Sequence, residues 1–454
     1  MSELFEIIKA LQESVLSVPI LPMEESWHGR TSTLIVTDEC NLRCTYCYCI
    51  KSPEKMTWKI AKEYIDALFE ESRDFHLLPK DSQLEIDHRK IFEFIGGEPL
   101  LEAELMFKCM DYIVERVSLL EENHPWKRTD WPCPCGKNHD NGIRFMISTN
   151  GLLLNEEWIR KHLLSYPERF VYIGMTIDGT QEMHDLCRKT VDGRGSYDEV
   201  MKAWRWLSKH FKGCTNSTKS TIAHENIDYI FDIVKYFYDL GLTSLSQNCV
   251  FENVWHRGDQ FRLFKQLVKT ADFLIQKERY KKISVRWFSS AILTKSQDFF
   301  GKWCGAGTYM DACDWSGKVY PCLRFKQIKT REPYVMGSSC MGLRSSSCID
   351  EFMEASKISP IHNPIQAKTT GIACATCPIS SQCSDCQAFG YDCFGRLDVK
   401  TPFLCPMQKA TAVANIYFFS HLLDVPVAED YLEELLDDWT KNDYFSTDGE
   451  FKVL

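Results

Sequence analysis

The sequence predicts an α/β protein with a parallel sheet, extended by a cysteine-rich block of the kind that metal holds together. Three observations carry this. Short apolar strands alternate with amphipathic helices between about residues 31 and 253, the pattern of a parallel sheet with crossover helices. Polar motifs stand directly after the strands: Cys40–Cys47 after the first, Gly96-Gly97-Glu98-Pro99 after the second, Ser148-Thr149-Asn150-Gly151 after the third and Asp178-Gly179 after the fourth. In parallel α/β folds, ligand chemistry collects at that end of the strands. Finally, residues 303–405 are turn-rich, weakly periodic and crowded with cysteine, and a segment with too little apolar pattern for a core is often stapled by metal.

The elements follow in order. Residues 1–30 open on MSELFEIIKALQESVL, an amphipathic helix with acidic residues in its first turns. It lacks the basic start and purely apolar core of a signal peptide. Residues 31–255 form the α/β unit, with strands predicted at Leu34–Thr37, Ile91–Ile95, Ile143–Ser148, Val171–Ile177, Ser220–Ile222 and Leu245–Val250. Helical periodicity fills the gaps at Trp58–Glu71, Ala103–Leu120, Glu156–Leu164, Asp198–Phe211 and Ile227–Leu240. A helical bridge spans 256–302, the cysteine block 303–410, and an acidic helical tail 411–454.

Composition narrows the function. A hydrophobic fraction of 44% and a charged fraction of 26% are those of an ordinary globular chain. The net charge of −10 offers no footprint for nucleic acid. No apolar run reaches the roughly 20 residues that span a bilayer, so neither nucleic acid nor membrane is expected as a partner, and the location expected is the cytoplasm. There the 21 cysteines read as metal ligands or buried thiols rather than disulfides.

Cys40, Cys44 and Cys47, with three and two residues between them, can hold three irons of a 4Fe–4S cube and leave the fourth open to a small molecule. Taken alone, the triplet also suits zinc. Gly96 and Gly97 let backbone approach a ligand closely, and Glu98 can accept hydrogen bonds from an ammonium group. Asn150-Gly151 is also a common turn dipeptide. Arg188 is a candidate carboxylate clamp because a guanidinium fork suits a carboxylate; the alternative is an ordinary surface ion pair. His184 reads as structural. Cys133, Cys135 and His139 lack a fourth ligand and read as a loop with free thiols. In the C-terminal block Cys304, Cys322, Cys374, Cys377, Cys383, Cys386 and Cys405 recur at short spacings, and the C-x2-C pairs would by themselves also suit zinc. Cys49, Cys109, Cys187, Cys214, Cys249, Cys340 and Cys348 read as buried small apolar residues.

The triplet with Tyr46 before its third cysteine, the Gly-Gly-Glu-Pro turn and the strand-end motifs together resemble the radical S-adenosylmethionine (SAM) enzymes. The later seven cysteines resemble a SPASM domain. The resemblance covers roughly residues 31–410 and is closest to peptide maturases acting on Cys-rich precursors. It implies an open six-unit (β/α) barrel, SAM as cofactor, and three 4Fe–4S clusters. Cys40, Cys44 and Cys47 would bind the SAM cluster. Tyr46, Gly96, Gly97, Glu98, Ser148, Asn150 and Arg188 would contact SAM. Cys374, Cys377, Cys383 and Cys405 would hold an outer auxiliary cluster, and Cys304, Cys322 and Cys386 an inner one. The fourth ligand of the inner cluster is Cys313, Cys393 or an open iron. The expected reaction is hydrogen abstraction by a 5′-deoxyadenosyl radical, leading to a Cys thioether cross-link. Carbon–carbon cross-linking, epimerisation, formylglycine formation and a non-catalytic zinc scaffold are the alternatives. Expected partners are a Cys-rich precursor peptide, an electron donor such as flavodoxin or ferredoxin, and a separate leader-binding protein, since only 39 residues precede Cys40. Two departures stand out. Ser384-Asp385 is one residue shorter than the usual spacing, and Leu323 replaces the acidic residue of the sulfatase-maturating branch. No catalytic acid or base is assigned.

Overall fold

The computed structural model describes residues 2–12, 14–20, 30–74, 90–123, 143–289, 293, 304–307, 310–339, 351–352, 354–356, 374, 377–380, 383 and 385–445. Cys133, Cys135, His139, Cys340 and Cys348 lie outside them.

Six strands run parallel and in chain order: β1 Arg30–Thr37, β2 Lys90–Gly96, β3 Arg144–Thr149, β4 Val171–Met175, β5 Ser217–Ile222 and β6 Ser244–Cys249. Each overlaps a predicted segment. β4 meets β5 through the parallel Thr176–Lys219 bridge and the Ser220 hydroxyl, which donates to Ile177 O at 3.3 Å. Two strands extend this arc. β7, Ser284–Val285, adds beside β6. β8, Met310–Cys313, comes from the cysteine-rich block and pairs in parallel with β1. Strands β9, Lys318–Tyr320, and β10, Gly337–Ser338, continue antiparallel from it.

Helices α1 Ser2–Gln12, α2 Trp58–Asp74, α3 Ala103–Asn123, α4 Glu157–Leu163, α5 Gln181–Cys187, α6 Tyr197–His210, α7 Ile230–Asp239 and α8 Asp259–Ile275 precede the cysteine-rich block. In α6 the buried residues Val200, Met201, Ala203, Trp204 and Leu207 fall on one face, as a 3.6-residue period requires. Asp198 and Glu199 in its first turn and Lys209 and His210 in its last complement the helix dipole. The helix Cys405–Leu422 is buried on nearly every side and packs against α8. Among the described residues no helix is long and apolar enough to cross a membrane.

The cysteine-rich block does build a small core of its own, around Tyr320, Phe325, Phe352 and Leu397. Its apolar residues are too far apart in sequence for periodicity to reveal them.

Candidate functional site

The strand arc encloses a cavity of about 990 Å³, and Cys40, Cys44, Tyr46 and Cys47 stand in its wall with Gly96, Gly97, Ser148, Asn150 and Arg188. Of the residues expected around the cofactor, Glu98 is absent from the wall. It lies fully buried behind it. There its carboxylate accepts from Leu100 N at 3.1 Å, Thr149 Oγ1 at 2.7 Å and Asn150 N at 2.7 Å. Burial pushes this carboxyl up and the donors oppose the shift. Glu98 thus ties the end of β3 to the turn after β2.

The two glycines are explained by the same packing. Gly97 N donates to Thr37 O at 2.9 Å and Glu98 N to Glu39 O at 2.8 Å. A Cβ at Gly96 would lie 2.0 Å from Thr37 O, and one at Gly97 2.1 Å from Glu39 O. The close approach is therefore to the backbone that leads into Cys40. Asn150 closes the same corner: its Nδ2 donates to Asn41 Oδ1 at 2.7 Å and lies 3.9 Å from the Cys40 sulfur. Ser148 instead turns inward and donates to Glu93 Oε1 at 2.9 Å.

Arg188 is neither a surface residue nor a free clamp. Its Nη1 donates to Tyr46 Oη at 2.9 Å and stands 4.0 Å from Asp178 Oδ2, which also accepts from the Tyr46 hydroxyl. Asp178 Oδ1 accepts from Thr221 N at 3.1 Å. The Nε of Arg188 is buried with no partner among the described residues. Its loop is held by His184, whose Nδ1 accepts from Asp178 N at 3.3 Å while Nε2 meets Ser196 Oγ at 3.1 Å. Ser196 in turn donates to Arg188 O at 2.8 Å.

Burial first, then the Arg188 charge, lowers His184 from 6.5 to about 3. Below pH 6.5 the unfolded chain takes a proton on this ring that the folded chain refuses, so stability falls as pH drops from 6.5 toward 3. The slope through this group is at most about 1.4 kcal/mol per pH unit. Urea unfolding at pH 6.5 and pH 5 should show that loss, and His184→Asn should flatten it. An unchanged slope in the variant would exclude His184 as its source.

The cysteines expected as cluster ligands, Cys313 excepted, fall into three groups, and every described cysteine is a free thiol. Burial pushes Cys44 up to about 11 and Cys40 upward. A hydrogen bond from Cys49, opposed by burial and helped by Lys51, holds Cys47 below its ordinary value. Cys49, expected as a buried apolar residue, thus stands in the cavity wall beside Cys47. In the second group Cys304, Cys322 and Cys386 sense one another's charge; burial and then these neighbours push Cys322 up to about 12. In the third, Cys374, Cys377, Cys383 and Cys405 do the same. Two buried ammonium groups attend them: Lys400 Nζ donates to Cys383 O at 2.6 Å, and Lys409 Nζ to Asp443 Oδ1 at 2.6 Å.

Cys313 is not brought to the second group. It is fully buried in β8, its thiol 3.6 Å from Asp314 O, and its charged neighbours are Asp314, Asp311 and Glu63. The charged neighbours of Cys393 are Asp392, Asp385, Arg331 and Glu252. Among the described residues no three His, Cys, Asp or Glu side chains meet as a lone metal ion requires. Apart from Cys47 and the exposed Cys304, burial makes these thiols resist ionisation singly, and binding iron as thiolates relieves that cost. The donor sets fit iron–sulfur clusters on this ground.

One contact set was invisible in the sequence. Residues just after Cys322, together with Trp315 before it, grip the cysteine loop. Lys326 Nζ pairs with Asp38, Trp315 Nε1 donates to Asp38 Oδ2 at 2.9 Å, and Gln327 Oε1 accepts from Ile50 N at 2.7 Å. Arg324 lies 4.0 Å over the Tyr48 ring and pairs with Glu252.

A model of the radical SAM superfamily matches residues 34–237. Those residues are a radical SAM domain. An uncharacterized protein of Methanocaldococcus jannaschii is 30% identical over 215 residues, which are 47% of this chain and 60% of that one. The cysteine-type anaerobic sulfatase-maturating enzyme of Clostridium perfringens strain 13 is 25% identical over 339 residues, 70% of this chain and 80% of that one. The structure of native anSMEcpe with bound AdoMet and Cp18Cys peptide superposes with a TM-score of 0.59 at 17% identity, covering 90% of this chain and 99% of that one. That likeness extends the shared fold well beyond the radical SAM domain. The chain spans less than two thirds of the length of the M. jannaschii relative.

Proposed function

We propose that this chain is a peptide-modifying radical SAM enzyme that cross-links a cysteine sulfur to a carbon of a precursor peptide. The observation that carries the reading is the cavity wall in which Cys40, Cys44 and Cys47 stand beside Gly96, Gly97, Ser148, Asn150 and Arg188. When bound there, a reduced 4Fe–4S cluster supplies the electron that splits SAM into methionine and a 5′-deoxyadenosyl radical.

The remaining roles belong to the chain's own residues. The three loop cysteines would hold the cluster. Backbone at Gly96 and Gly97 would meet the SAM amino group, with Glu98 fixing that backbone from behind. Ser148 and Asn150 would edge the ribose and carboxylate region, and Arg188, which lines the same cavity, would lend its guanidinium charge to the SAM carboxylate. Tyr46 and Asp178 hold the Arg188 guanidinium in place. Cys304, Cys322 and Cys386 would hold an inner auxiliary cluster with an open position, and Cys374, Cys377, Cys383 and Cys405 an outer one. The open position would take a substrate thiolate. Flavodoxin or ferredoxin would deliver electrons and a separate protein would bind the leader, all in the cytoplasm.

Formylglycine formation is a second reading, favoured by the sulfatase-maturating relatives. Against it, Leu323 offers no proton acceptor directly after Cys322. Mass spectrometry of a Cys-rich peptide encoded beside this gene and co-expressed with the enzyme separates the two. A loss of two hydrogens with a blocked thiol supports the thioether. Conversion of a cysteine or serine to an aldehyde supports formylglycine, and an unmodified peptide with SAM still cleaved overturns both assignments for that peptide.

A further inference from the structure

The far wall of the cavity holds charge that the cofactor reading does not use. Lys219 on β5 is in register with Ser246 on β6. Leu245 is in register with Val285, and Arg286 N donates to Leu245 O at 3.0 Å. Lys219, Ser246 and Arg286 therefore form one row across three adjacent parallel strands, on the face opposite the buried Leu245 and Val285, and all three line the cavity.

Two observations mark this row as a site. Neither the Lys219 ammonium nor the Arg286 guanidinium makes an ion pair with any described residue, and Ser246 Oγ has no hydrogen bond there. The two carboxylates whose charge reaches Lys219 are already engaged: Glu93 in the wall with Thr33 and Ser148, and the fully buried Asp178 with Tyr46 and Thr221. Burial, then the Arg286 charge, presses Lys219 below its ordinary value, a strain that an incoming anion relieves.

We propose that Lys219, Ser246 and Arg286 form a carboxylate subsite that holds an acidic side chain of the substrate beside the residue to be modified. This rests on the peptide reading above. Strand spacing of about 4.8 Å puts the two cations either side of the serine hydroxyl, so a carboxylate can bridge them while accepting from Oγ.

The test titrates the anaerobically reconstituted full-length enzyme, holding SAM, with N-acetyl-aspartyl methylamide and with its asparaginyl counterpart. The acid should bind at least about ten-fold more tightly, as charge-assisted hydrogen bonds imply. Lys219→Met and Arg286→Gln should each reduce the preference to about two-fold or less, and Lys219→Arg should restore it. Ser246→Ala, a substitution too small to endanger folding, should reduce it partially. Equal binding of acid and amide by the unmodified enzyme overturns the subsite. A second arm compares SAM with decarboxylated SAM. If the enzyme discriminates between them and Lys219→Met erases that discrimination, the row holds the cofactor's carboxylate and the substrate assignment is overturned. Cleavage of SAM by dithionite-reduced enzyme is measured in parallel. Its absence refutes the radical reading, whereas the acid-versus-amide comparison is an equilibrium measurement that does not depend on it.

Discussion

Replacing Cys40, Cys44 and Cys47 together by Ala should reduce 5′-deoxyadenosine formation to background while leaving the other two thiol groups loaded. The three side chains share one cavity wall and one loop, with Cys49 beside them and Cys249 on β6 lining the same cavity. Iron analysis after anaerobic reconstitution should fall from about twelve to about eight per chain, with acid-labile sulfide falling in proportion. The selective loss matters more than the loss of activity. A variant that still cleaves SAM, or an unmodified enzyme containing zinc and no sulfide, would refute the assignment.

Glu98→Ala should cost about 3–9 kcal/mol of folding stability, because it strands three buried donors at about 1–3 kcal/mol each. Those donors are Leu100 N, Thr149 Oγ1 and Asn150 N. The damage should spread to the cysteine loop, since Asn150 also supports Asn41. Glu98→Gln keeps one acceptor oxygen and should lose less. Urea midpoints rank the two variants; equal stability of Glu98→Ala and the unmodified protein would show that the carboxylate holds nothing together.

The six-strand arc was legible because β1–β4 carry short apolar runs, each functional motif follows a strand, and helices of 3.6-residue period separate the strands, which places even the largely polar β5 (STKSTI) and β6 (SLSQNC). β8 was not. Its four residues, Met310–Cys313, carry no period of their own, and their partner β1 is far away in the chain. Cys313, one of three alternatives for the fourth inner ligand, sits in that same strand, paired to β1 and with Asp314, Asp311 and Glu63 as its charged neighbours. Arg188 shows a second limit. Its type and position pointed to a carboxylate, but the partners it meets, Tyr46 and Asp178, are fixed by tertiary packing. Cys49 has no partner at ligand spacing, and only the C-x-C step from Cys47 signals its place in the cavity wall.

The grip of residues 322–327 on the cysteine loop has a consequence for anyone recombining such enzymes. Asp38, Tyr48 and Ile50 take their partners from the segment that immediately follows Cys322, so loop and segment form one mechanical part encoded in two distant places. A chimera joined between them would need to inherit both halves from the same parent. An exchange that respects only the visible boundary between the α/β unit and the cysteine block would leave the radical-forming loop without its brace.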